Sequence, residues 1–214
     1  MDITQTIALT MGVAWASGIN LYAALLMLGW MGSSGNIELP PDLQILSEPM
    51  VMLAAGFMYC IEFFADKIPG VDTGWDAIHT FIRIPAGAIL AAAAVGDTGA
   101  GAQLAAAIAG GTMATGSHLT KASSRVLINT SPEPVSNWFA SVGEDVMVIL
   151  GLWTALYNPV LFLVLLVVFI LLMIWLLPKL WRGIKKVFAY LRRFFGNDKQ
   201  EQSSILLSDM KPKK

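Results

Sequence analysis

Six stretches of the chain are apolar over roughly the 20 residues that a helix needs to cross the hydrocarbon core of a bilayer. They fall near 7–31, 45–65, 78–96, 100–121, 136–157 and 159–178. After Pro178 the pattern changes. Leu180, Trp181, Ile184, Val187, Phe188 and Leu191 recur at helical spacing, while Lys179, Arg182, Lys185, Lys186, Arg192 and Arg193 occupy the opposite face. That describes an amphipathic helix over 179–196, lying in the membrane interface and drawn to anionic lipid. Residues 197–214 are polar, end in Lys-Pro-Lys-Lys, and are expected to be a disordered tail. The pattern therefore gives an all-α integral membrane protein, with a membrane domain over 1–178, the interfacial helix and the tail.

Composition agrees, with 56% hydrophobic residues, 14% charged residues and a mean hydropathy of +0.64. Such a chain has no basic surface for nucleic acid within its core, and the bilayer is its partner. Charge distribution gives the orientation. No Lys or Arg precedes Lys67, whereas ten of the fourteen lie from Lys179 onward. With six spans, Lys67, Arg83, Lys121, Arg125 and the basic tail share one side, and the loops with Glu38, Asp42, Asp97 and Asn158 share the other. The positive-inside rule then places both termini in the cytoplasm of a bacterial inner-membrane protein. The start, Met-Asp-Ile-Thr-Gln, lacks the basic region of a signal peptide, so the first span is expected to be retained. Cys60 stands alone in an apolar setting, which excludes a disulfide framework within the chain.

Two segments resemble each other. Gly12, Ala16, Asn20 and Ala24 recur every four residues, as do Gly110, Ala114, His118 and Ala122, and Trp15–Leu21 aligns without gaps over Met113–Leu119. A proline-containing loop follows each, Pro40 and Pro41 in one half and Pro132 and Pro134 in the other. Each loop leads to a span entered through acid, Glu48 or Glu144 with Asp145. Three spans per unit is an odd number, so the repeats, 7–96 and 100–178, are expected to be inverted about an axis in the membrane plane. The small-residue stripes let the first and fourth spans approach closely. Asn20 and His118 are then expected at equivalent positions near that axis.

Polar side chains inside a membrane are costly and are functional candidates by default. Asn20, His118, Glu48, Glu144 and Asp145 form a candidate solute or ion pathway, with His118 as a possible proton carrier. Glu48 has a structural alternative, since Ser47 is a good N-cap and Pro49 suits a first helical turn. A second group, Glu62, Asp66, Lys67, Asp72, Asp76, His79 and Arg83, gathers around the turn at Pro69-Gly70, at the cytoplasmic mouth. Asp66, Asp72 and Asp76 have the chemistry to hold a divalent cation. Arg83, Lys67 and a protonated His79 could clamp a phosphate or carboxylate. The same residues could also satisfy one another as ion pairs. No HExxH, nucleophile elbow, Walker loop or CxxC occurs, and no cofactor is required.

The segments Ala16–Gly29, Glu62–Ala88 and Ala114–Arg125 together resemble a domain-of-unknown-function family of small bacterial multi-span membrane proteins. The likeness covers about residues 10–150 and implies no activity, substrate or functional residue. Three functions stay open: a small transporter or channel-like protein, an enzyme or lipid-handling protein acting on a phosphate headgroup at the Asp66–Arg83 cluster, and a non-transporting assembly or scaffold protein. A homo-oligomer is compatible with each.

Overall fold

A computed structural model describes residues 1–130 and 134–209. The described residues form α1 (Ile3–Ser33), a short 3-10 helix (Pro41–Ser47), α2 (Pro49–Ala65), α3 (Val71–Val95), α4 (Ala100–Ile128), α5 (Pro134–Tyr157) and α6 (Pro159–Asp209). By length and composition α1, α3, α5 and α6 can cross a membrane, and the 3-10 helix with α2, bent by 68°, makes a fifth candidate. The protein is thus all-α with four or five candidate spans. Segment α4, expected as a span, is long enough at 29 residues but too rich in Gly, Ala and Thr to be counted among them.

Helix α1 is not one straight helix. Asn20 leaves the helical region (φ −144°, ψ 96°) and divides α1 into α1a, through Ile19, and α1b, from Leu21. A straight 31-residue helix would be about 45 Å long, yet Met1 and Thr6 line the same cleft of about 1070 Å³ as Gly32, Glu48 and Ala94–Thr98. Both ends of α1 therefore lie at one end of the bundle, and Asn20 is the apex of a re-entrant hairpin. At 1.5 Å per residue α1a reaches about 25 Å and α1b about 20 Å, each short of the roughly 30 Å hydrocarbon core. The near-complete burial of α1, including Leu9, Val13, Ala16, Ala24 and Leu28, fits an element inserted among other helices rather than facing lipid.

Close contacts fix the direction of the remaining helices. Along α1a, Ala14 meets Gly110, Gly18 meets Ala114 and Ser117, and the Ile19 carbonyl meets Lys121. Numbers rise together, so α1a and α4 are parallel. Opposite them, Arg83 pairs with Ser17 and Gly87 with Ala14, which makes α3 antiparallel to both. Trp15 lies against Gly151 and Gly12 against Ala155, so α5 is antiparallel to α1a as well. Along α1b, Leu26 lies near Gly56 and Gly29 near Met52. Helix α2 therefore descends from the cleft to Glu62 at the level of Arg83.

These directions are not those of inverted three-helix repeats, and four or five segments rather than six are long and apolar enough to cross. Inversion requires α1 and α4 to run oppositely where they cross, and they do not. The small stripes do make the predicted close crossing: a Cβ at Gly18 would overlap Ser117 and the Ala114 carbonyl, and one at Gly110 would meet Ala14 at 3.4 Å and overlap Ala91 of α3. The first segment turns back at Asn20, so Ile3 sits at the end of the bundle opposite the basic C-terminal stretch, and the two termini do not share a face. Helix α6 runs unbroken through Pro178 to Asp209. The basic 179–196 stretch is thus a continuation of the last apolar helix rather than a separate one, and the tail expected as disordered is helical through Asp209, with 210–214 outside the described residues.

Candidate functional site

The apex of α1 meets the buried charges of four other helices. Breaking a helix frees backbone groups that hydrocarbon cannot satisfy, and here side chains take them. The Asn20 Oδ1 accepts from the Ala23 amide at 2.9 Å and so caps α1b. The Ile19 carbonyl at the end of α1a accepts from Lys121 Nζ at 3.0 Å. Asn20 Nδ2 donates to Asp145 Oδ1 at 2.7 Å, and Tyr59 Oη donates to Asp145 Oδ2 at 3.3 Å. A cation at the carbonyl end of α1a and a carboxylate near the amide end of α1b both complement the helix dipoles.

Below the apex the ion pairs are continuous. Arg83 donates to Glu62 and Asp76, each at 2.8 Å. Lys121 donates to Asp66 at 2.8 Å, and lies 3.6 Å from Glu62, 3.8 Å from Asp76 and 3.6 Å from Glu144. Arg125 donates to Glu144 at 2.6 Å, to the Asn137 side chain at 2.6 Å and to the Asp66 carbonyl at 3.2 Å. Arg83, Arg125 and Glu62 are all 0% exposed. Charges this deep persist only as partners, because each alone would cost several kcal/mol of lost hydration.

The bonds of both imidazoles are satisfied by neutral rings. Thr80 Oγ1 gives its proton to the Asp76 carbonyl (3.0 Å) and so accepts from His118 Nε2 at 2.8 Å. That leaves His118 Nδ1 to accept from Arg83 at 3.4 Å. His79 Nδ1 donates to the Trp75 carbonyl at 2.9 Å, and its Nε2 accepts from Tyr22 Oη at 3.2 Å. A proton added to His118 Nδ1 would face the Arg83 guanidinium at 3.4 Å, which opposes the proton-carrier role expected of it. His118 also turns to α3 rather than to Asn20, although both stand where α1 and α4 cross.

Other expectations fare unevenly. Asn20, Asp145, Glu144, Glu62, Asp66, Asp76 and Arg83 come together as one buried assembly instead of two separate groups. Asp72 stands apart, accepting from Asn129, Asn137 and the backbone amides of Gly70 and Thr73. This ties α3, α4 and α5 together below the network. Asp66, Asp72 and Asp76 therefore share no point, and among the described residues no three acidic, Cys or His groups converge as a metal site would require. Lys67 points away from Arg83. Its Nζ donates to the Phe63 carbonyl at 3.0 Å and Ser141 Oγ at 3.3 Å, above the Phe63 ring, and burial pushes its ammonium below the usual lysine range. With Lys67 turned away, His79 neutral and Arg83 bonded to two carboxylates, the phosphate clamp is not formed. Glu48 is exposed beside the cleft at the opposite end. It is itself the N-cap residue of α2, with Pro49 in the first turn, in place of the expected Ser47.

Lys121 and Arg125 are the residues that sequence reasoning missed, having been taken for loop charges. Their signal was present. They follow His118 by three and seven positions, on the face that the small-residue stripe turns toward α1. One comparison bears on identity: the family described as Domain of unknown function (DUF4126) matches residues 7–179. The chain belongs to this family. The DUF4126 match takes in the whole charge network and the apolar part of α6, and ends at Lys179, where the basic stretch begins. No curated protein and no solved structure matches.

Proposed function

We propose that the protein is a small inner-membrane transporter or channel-like protein for a small solute or ion, with its pathway at the apex of α1. The observation that carries this is the helix break at Asn20 inside a buried, ion-paired network. Discontinuous helices whose ends face charged groups near the midplane are a common device of solute and ion sites. In this reading α2 to α6 cross the membrane, α1 re-enters from outside, and the cleft with Glu38, Glu48 and Asp97 opens to the periplasm. The charge pattern supports that orientation: the segments at the cleft end lack Lys and Arg, and Lys67 and the basic stretch of α6 lie at the other end, against anionic lipid. The rival headgroup-binding reading is weakened by Arg83, which is sealed from solvent and already held by Glu62 and Asp76.

The test is flux in proteoliposomes, measured for a panel of small solutes and monovalent ions with and without a pH gradient. A saturable flux is expected that Asn20→Ala and Asp145→Asn each reduce at least tenfold while leaving the protein folded and inserted. Absence of flux for the panel, or wild-type flux in both variants, would overturn the reading.

A further inference from the structure

The ion-paired assembly contains four carboxylates, Glu62, Asp66, Asp76 and Glu144, and three cations, Arg83, Lys121 and Arg125. One negative charge is in excess. Neutral rings satisfy the bonds of His79 and His118, which then do not offset it, and Lys67 is turned toward Phe63 and Ser141. Asp145 and Asp72 lie close by and are satisfied by uncharged donors, so they supply no positive charge either.

Where the excess sits follows from the bonding. Glu62 Oε2, Asp66 Oδ1 and Asp76 Oδ2 are buried oxygens without a partner. Of the four carboxylates, Glu144 is partly exposed and has Arg125 at 2.6 Å. Asp66 lies between Lys121 at 2.8 Å and Arg125 at 3.6 Å. Glu62 and Asp76 are the pair that share a single close cation, Arg83, with Lys121 no nearer than 3.6 Å to either. Two carboxylates that share one bonded guanidinium, with Lys121 held closer to Asp66, compete for their charge in a sealed interior. A proton on this pair would offset the excess charge, and its unpartnered oxygens, Glu62 Oε2 and Asp76 Oδ2, are free to hold one.

We propose that Glu62 and Asp76 share one exchangeable proton, held between α2 and α3 beneath the α1 apex. It is bound as a carboxylic acid O–H, and is given up to water when the network opens. The groups facing this pair are Tyr22 from α1, Asp66 from α2, His79 and Arg83 from α3, His118 and Lys121 from α4, and Glu144 and Asp145 from α5. Because the two carboxylates are coupled, the proton belongs to the pair and not to one residue. This assignment deepens the transport reading, for which it supplies a coupling ion, and its proof does not depend on flux.

The experiment is infrared spectroscopy of the full-length protein in lipid nanodiscs from pH 5 to 9. A carbonyl stretch of a protonated carboxylic acid is expected at pH 7, where exposed carboxylates are ionised. It should shift to lower frequency in D2O, and Glu62→Gln or Asp76→Asn should each remove it, because either change cancels the excess charge. No such band in the wild type at any pH examined would overturn the proposal, and this arm needs no variant to fold. A band that survives both substitutions but disappears in Asp145→Asn would overturn it too, as would a band that emerges only when sodium is withdrawn. A band that behaves as expected without flux would leave the proton site standing and remove only the transport reading.

Discussion

Arg125 shows how much one side chain holds at this site. Its guanidinium joins α4 to Glu144 and Asn137 on α5 and to the Asp66 carbonyl below α2. Removing it would leave Glu144 and Asp66 with Lys121 as their shared cation. Breaking a buried pair from one side costs about 3–5 kcal/mol, whereas Lys67→Gln forfeits hydrogen bonds worth about 1 kcal/mol each. Arg125→Gln should therefore lower the thermal unfolding midpoint in detergent far more than Lys67→Gln does. Equal shifts would mean that the network does not carry the stability assigned to it. Most members of this network were legible in the sequence, since polar residues at membrane depth stand out. Their grouping was not. Asp72 and Asp76 read as neighbours on one helix face, but Asp76 points to Arg83 while Asp72 is claimed by two asparagines from other helices, and spacing along one chain cannot reveal partners on another.

Among the elements, α4 packs closely against both α1a and α3. Glycines at 18, 87 and 110 remove the side chains that would keep α1, α3 and α4 apart. Without a hydrophobic force between helices in lipid, such close packing is a principal source of association. Gly110→Leu should prevent folding or strongly destabilise the bundle, because the side chain would overlap Ala91 and the Gly87 carbonyl. Val164→Leu, on the lipid-facing surface of α6 where Val164 is 56% exposed, should change the unfolding midpoint by a degree or two at most. Comparable losses at both sites would remove the close packing of α4 against α3 and α1a as a determinant of the fold. The stripe of small residues announced this contact in advance. The break at Asn20 had no such signal, because an asparagine inside an apolar helix reads equally well as a buried polar residue, and only the contacts of α1b show that it caps a new helix.

For the molecule as a whole, the direction of every element follows from the turn at Asn20. An apolar segment of 25 residues reads as one crossing by length alone, and that reading makes the count six and puts both termini on one side. With α1 folded back, its first end lies with the lysine- and arginine-free loops, and the cation-bearing end of the bundle holds the ion-paired network and the basic part of α6. The positive-inside pattern is satisfied by both courses, which is why the sequence could not choose between them. The choice matters for the proposed pathway, since the transport reading needs the cleft and the apex of the broken helix to share one route.

Labelling of single cysteines by a membrane-impermeant maleimide in intact cells, in a Cys60→Ser background, tests this course most directly. Cysteines at positions 2, 36 and 98 should react in intact cells, and those at 70 and 200 only after permeabilisation. Reaction at 36 and 98 with protection at 2 until permeabilisation would show α1 crossing the membrane once, and would contradict the re-entrant helix on which the site is built.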